Sequence, residues 1–137
     1  MGRILAIDYG KKRVGLAVTD ILKISANPIG TVLSHEIWKY LKDYIEQNDV
    51  EAFVVGYATQ KDGSDSESMQ YIHPFVTALK KKYKKIPIYF EDESYTSVIA
   101  EHSLRESKKS IKQNKALIDT ISATLILQSF LNKNTEL

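Results

Sequence analysis

The chain of 137 residues contains no cysteine. That absence excludes a disulfide framework, a thiolate zinc site, an iron–sulfur cluster and a cysteine nucleophile. It also fits a reducing compartment. Long hydrophobic runs are missing too. The longest are four or five residues, against the ~20 needed to span a bilayer. Met1-Gly2-Arg3-Ile4 lacks the apolar stretch and small-residue cleavage site of a secretory signal. A soluble cytoplasmic protein with no membrane partner is therefore expected. No internal repeat, low-complexity stretch or Pro/Gly/Ser-rich linker divides the sequence, and neither a P-loop nor a dinucleotide glycine pattern occurs. Arginine is scarce: only Arg3, Arg13 and Arg105 contribute to the 19 basic residues. Lysine is a compact, hydrated charge, so the basic chemistry here suits phosphate contact rather than bidentate base reading.

What is present is the composition of a globular domain. Hydrophobic residues make up 43% and charged residues 26%, which argues against wholesale disorder. The length predicts a single domain over residues 1–137. The net charge of +2 and pI of about 8.7 are mildly basic. The lysines are clustered, at Lys11-Lys12, from Lys80 to Lys85, and between Lys108 and Lys115. The middle cluster reads as a solvated face.

Ile4, Leu5, Ala6 and Ile7 form a nearly continuous apolar run, the pattern of a central strand covered on both faces. Tyr9-Gly10-Lys11-Lys12 reads as a turn into a second strand, Val14 to Val18, so the two segments make a hairpin. Gly15 inside that strand marks a close approach of backbone or ligand. A third short strand falls between Ile24 and Val32, disturbed by Asn27-Pro28. Ser34 is placed to cap a helix carrying Ile37, Trp38, Leu41 and Ile45. Ala52 to Val55 is a buried strand ended by Gly56. Ser64 and Glu67 have the spacing of a capping box. Met69, Ile72, Val76, Leu79 and Tyr83 recur at helical spacing, with Pro74 expected to kink or begin that helix. Ile88 to Phe90 is a strand, Thr96 or Ser97 can cap a further helix, and a last helix runs from about Asn114 to Leu131. Three strands followed by alternating helices and strands predict an antiparallel meander joined to parallel neighbours, a mixed α/β sheet with helices on both faces.

Three carboxylates stand out. Asp8 ends the first strand, on the edge where open α/β sheets bind ligands, although an Asp before a turn glycine is also ordinary hairpin chemistry. Glu93, in Glu91-Asp92-Glu93, follows the strand Ile88 to Phe90. If that strand is parallel to the first, its end shares the edge with Asp8, while helix capping would explain one of the three acids. Asp119 lies on an apolar helical stripe with Ala123, Ile126 and Phe130, where a carboxylate must be paired or bind a metal. A bridge to Lys115, four residues earlier, is the competing account. His35, His73 and His102 follow no ligand spacing and read as surface histidines. A site of carboxylates alone selects hard cations, Mg²⁺ or Mn²⁺, which act well on phosphate oxygens.

The run Ile4-Leu5-Ala6-Ile7-Asp8-Tyr9-Gly10-Lys11-Lys12-Arg13-Val14-Gly15-Leu16-Ala17-Val18-Thr19-Asp20 resembles the opening of the YqgF family. Phe53-Val54-Val55-Gly56, Asp62-Gly63-Ser64, Asp92-Glu93 with Thr96, and Asp119 followed by Ser122 to Gln128 match its later blocks in order. The resemblance covers nearly the whole chain. It implies an RNase H-like fold, with a five-stranded mixed sheet, and a nuclease that processes the 5′ end of precursor 16S rRNA. The family is also described as a Holliday junction resolvase. Carried over, its acidic triad falls on Asp8, Glu93 and Asp119, which would hold Mg²⁺ or Mn²⁺. Its first loop falls on Gly10 to Arg13. There are two departures from the family: Ser94 stands where an Arg is usual, and Tyr57-Ala58 where Leu-Pro is usual.

The expected activity is metal-dependent phosphodiester hydrolysis in precursor rRNA, with Lys11, Lys12, Arg13, Lys108, Lys109, Lys112 and Lys115 holding the backbone. A Holliday junction resolvase, needing a two-fold dimer, and a weakly active RNA- or ribosome-binding module are the alternatives. A monomer or weak homodimer is expected. Asp8-Tyr9-Gly10 before a hairpin also resembles the first phosphate loop of sugar kinases and actin-like ATPases, which need a second lobe that this length does not accommodate.

Overall fold

The computed structural model describes residues 2–57, 69–92 and 111–133, with side chains of the last segment from Thr120 onward. Five strands form one sheet in the order β3-β2-β1-β4-β5. Strands β1 (Arg3–Tyr9), β2 (Arg13–Thr19) and β3 (Ala26–Leu33) are an antiparallel meander; β4 (Val50–Tyr57) and β5 (Ile88–Asp92) join β1 in parallel. Helix α1 (Ile37–Gln47) connects β3 to β4 and α2 (Met69–Lys82) precedes β5, while α3 (Ile111–Lys133) closes the other face.

The alternation of side chains along each strand divides the core in two. On one face Leu5, Ile7, Leu16, Phe53 and Val55 pack with Ile37 and Leu41 of α1 and with Ile72, Phe75, Val76 and Leu79 of α2. On the other, the sheet offers mainly small residues, Ala6, Ala17 and Ala52 beside Ile4 and Val54, to Ala123, Ile126, Leu127 and Leu131 of α3. The central strands are buried on both sides, which is why their sequences read as continuous apolar runs. Pro28 sits on edge strand β3, where a lost N–H is tolerated, and the register slips there: Leu16 pairs with Gly30 but Ala17 with Pro28.

One expectation needs correction and another is narrowed to one of its alternatives. Ser34 is not a helix cap. Residues Ser34–Glu36 form a 3₁₀ turn, α1 starts at Ile37 without a side-chain cap, and the Ser34 hydroxyl donates to the Gly10 carbonyl at 2.7 Å. Pro74 does not begin its helix, because α2 runs through it from Met69. Proline removes one N–H donor, for a carbonyl on the preceding turn, and Pro74 itself is exposed. The expected capping box at Ser64 and Glu67, and the helix after Thr96, lie outside the described residues. The last helix is longer than its expected Asn114–Leu131 span. No helix among the described residues is long and apolar enough to cross a membrane.

Candidate active site at the carboxyl edge of the sheet

Asp8 is the penultimate residue of β1 and half-buried. It shares its face of the sheet with Ile4 and Ala6, the face under α3. Its partner across the hairpin is Gly15, and Gly15 in turn pairs with Thr31 of β3. On the other side Ile7 pairs with Val55 of β4, and the next residue along β4, Gly56, pairs with Glu91 of β5. One level of the sheet therefore reads Thr31, Gly15, Asp8, Gly56, Glu91. Asp8 stands between two strands that each carry a glycine there, so no neighbouring Cβ crowds its carboxylate from the sheet.

The parallel strands bring their ends to one edge. β5 ends at Asp92, paired with Tyr57 at the end of β4, and Glu93 is the next residue. Glu93 itself lies outside the described residues. Asp119 is in α3, and its side chain is likewise outside them. Its neighbour Thr120 is described: the Thr120 and Thr31 hydroxyls are 2.7 Å apart. That contact sets this turn of α3 over the same level of the sheet as Asp8. The remaining members of the Asp119 stripe behave as expected. Ala123 and Ile126 are fully buried against the sheet, and Phe130 packs on Tyr89 with ring centroids 5.4 Å apart.

Glu91 is one of three adjacent acids, of which the sequence singled out Glu93 and not this one. It is 5% exposed, accepts a hydrogen bond from the Ser129 hydroxyl at 2.9 Å and pairs with Lys133 at 2.5 Å. The bond to Glu91 holds the Lys133 ammonium above the ordinary lysine range. This acid is thus an anchor for the end of α3, about two strand spacings (~10 Å) from Asp8. No pattern in the sequence links positions 91 and 133.

The turn after Asp8 is fixed by backbone bonds. Gly10 N–H donates to the Arg13 carbonyl at 2.9 Å, and Ser34 N–H donates to the Lys12 carbonyl at 3.0 Å. A Cβ on Gly10 would sit 2.8 Å from the Arg13 carbonyl oxygen, so a side chain there would force the turn open. Lys11 and Lys12 are exposed on this turn, with Lys11 Nζ 5.8 Å from the centre of the Tyr71 ring. Arg13 starts β2 and is half-buried. Lys108 and Lys109 lie outside the described residues, as do the side chains of Lys112 and Lys115. Behind the turn, Tyr9 stacks on Phe75 at 4.3 Å and Phe75 meets Trp38 at 5.2 Å. His35 and His73 are exposed, and His102 is outside the described residues. Among the described residues no three His, Cys, Asp or Glu side chains form a group able to hold a metal ion.

Comparison with known proteins gives the chain's family and fold. The family model described as "RuvX: Holliday junction resolvase" matches residues 2–133. A protein of Phocaeicola vulgatus named "Putative pre-16S rRNA nuclease" is 50% identical over 133 residues, covering 96% of both chains. One of Parabacteroides distasonis with the same name is also 50% identical over 133 residues, covering 96% of this chain and 95% of its own. Among solved structures, T. thermophilus RuvC in complex with a Holliday junction substrate superposes with a TM-score of 0.53 at 14% identity, over 97% of this chain and 96% of RuvC. That likeness shows the fold, which is RNase H-like. The full-length family match and the half-identical relatives show more: this chain belongs to the RuvX family of Holliday junction resolvases, the YqgF family that its motifs resemble.

Proposed function

We propose that the chain is a metal-dependent endonuclease of precursor 16S rRNA, acting in the cytoplasm during ribosome maturation, with Asp8, Glu93 and Asp119 as its acidic triad. The observation that carries the reading is the position of Asp8: a half-buried carboxylate flanked by glycines, at the edge where the three parallel strands end. Glu93 directly follows β5, which ends on the same edge with β4 between it and β1, and Asp119 precedes the threonine joined to Thr31. The donor set is all oxygen, which fits Mg²⁺ or Mn²⁺ and no softer ion. When bound, such an ion supplies charge stabilisation for the phosphoryl group and lowers the pKa of a water. The chain's own part is to hold the carboxylates together and to align the strand. Exposed Lys11 and Lys12 beside the edge attract phosphates, and the bonds through Gly10 and Ser34 keep their turn in place. Arg13, Lys108, Lys109, Lys112 and Lys115 extend that contact. Ser94, in place of the family arginine, leaves one cation fewer near the triad.

The test is cleavage of a precursor 16S rRNA fragment with Mg²⁺ or Mn²⁺. Asp8→Asn should lower the rate at least about 100-fold, the scale of a group acting directly in the chemistry, with the circular dichroism spectrum unchanged. Equal rates would reject the assignment. Ser94→Arg tells a weakened site from a binding module, since a large gain in cleavage requires a working triad. The family's description favours a second reading, the resolution of branched DNA. Symmetric cutting of two strands needs a two-fold dimer, so a sedimentation profile that stays monomeric at working concentration would exclude it.

A further inference from the structure

The lysines from Lys80 to Lys85 have a simple helical explanation: three of them, Lys80, Lys81 and Lys82, occupy the last turn of α2, where cations complement the helix dipole. The structure adds what that explanation cannot cover. Lys39 and Lys42 of α1 come to the same place. With Trp38, Lys82 and Tyr83 they line a shallow concavity of about 470 Å³ between the two helices. Lys39 lies in the first turn of α1, the helix end where a positive charge is unfavourable, so helix stability does not account for it. Among the described residues none of Lys39, Lys42 and Lys82 has an ion-pair partner within 4 Å. No acidic residue among those described lines the concavity, although Asp43 and Glu46 of α1 follow Lys39 and Lys42 at four-residue spacing. Positive charge is in excess there, and it surrounds aromatic rings.

The concavity is also linked to the carboxylate edge. Lys82 Nζ lies 5.1 Å from the Trp38 ring, Trp38 meets Phe75 at 5.2 Å, and Phe75 stacks at 4.3 Å on Tyr9, the residue after Asp8. Three ring contacts through the core, where Phe75 is 4% exposed, therefore separate it from the edge; a nucleic-acid strand reaches both places by running over the surface outside them. We propose that this concavity is a second contact for the nucleic acid cut at the edge, with Lys39, Lys42 and Lys82 holding backbone phosphates and Trp38 offering its ring to an unpaired base. The inference rests on the nuclease reading for the identity of that strand. Lysine fits the role because backbone contact needs charge without base geometry.

Trp38 is the chain's single tryptophan, so its emission reports on this place alone. The experiment titrates fluorescein-labelled single-stranded RNA into the Asp8→Asn chain, following label anisotropy and Trp38 emission at several salt concentrations. Saturable change in Trp38 emission, in step with anisotropy, is expected. Combining Lys39→Ala, Lys42→Ala and Lys82→Ala should weaken binding about tenfold or more at low salt. It should also make the log-affinity against log-salt slope shallower by about 2, the value for three phosphates of a single strand. The three Lys→Arg changes should retain the affinity. Loss of affinity in the alanine variant supports the surface whether or not the wild-type chain cleaves RNA. Unchanged affinity and slope, or Trp38 emission indifferent to bound RNA, overturns it, even where cleavage confirms the nuclease reading. A Trp38 response to phosphatidylserine vesicles with none to RNA overturns it as well.

Discussion

The two faces of the sheet are built differently. The face under α1 and α2 is thick: Leu5, Ile7, Phe53 and Leu79 are fully buried and a ladder of rings runs from Tyr9 to Trp38. The face under α3 is thin, with Ala6, Ala17 and Ala52 on the sheet and Gly15 and Gly56 beside Asp8. Large side chains remove much apolar area from water, about 25 cal/mol per Å², and so the thick face carries most of the stability. Small ones let α3 lie close and leave space at the strand ends for a charged group. Asp8 sits on the thin face, where bulk would fill the space beside its carboxylate.

Breaking the thick face should cost most. Phe53→Ala should lower the unfolding free energy by about 3–5 kcal/mol, since it leaves a cavity that Leu79 and Tyr83 cannot close; urea denaturation measures this, and a loss under 1 kcal/mol would mean that the face repacks freely. Overfilling the thin face is the next test. Ala17→Leu should destabilise by about 1–3 kcal/mol through overpacking against α3, and cleavage should fall further than in Phe53→Ala assayed at a temperature where both are folded. Equal losses would deny the thin face its special link to the site. The smallest effect belongs to the far end of α3. Lys133→Met leaves buried Glu91, among the described residues, with Ser129 as its side-chain partner and should lower the melting temperature at pH 7. Because the folded-state pKa of Lys133 is raised, its contribution is complete below the ordinary value of about 10.5 and fades as pH rises through the folded one. The gap between wild-type and variant melting temperatures should therefore narrow only in strong alkali; a gap that narrows near neutrality would implicate another group.

Much of this was legible along the chain. The continuous apolar runs of β1, β2 and β4 announced strands covered on both faces, and the spacing of Met69, Ile72, Val76 and Leu79 announced the buried stripe of α2. Asp8 was legible as a charge at the end of such a run. The contacts that cross the sheet were not. Ser34 has the composition of a helix cap and serves instead as a tie to the Gly10 turn, because α1 starts three residues later and the turn lies within reach. Glu91 looked equivalent to Asp92 and differs from it because strand alternation sends one toward Ser129 and Lys133 and leaves the other exposed.

By itself the sequence determined the kind and order of the elements, the meander and its parallel additions, and the carboxylate at the first strand's end, since all of these follow from local periodicity and from where a charge is tolerable. Only the tertiary structure decided which distant residues share a level of the sheet, that Glu91 anchors α3, and that lysines 39, 42 and 82 meet around one tryptophan. Such pairings depend on register and helix placement, which are set by packing among segments far apart in the chain.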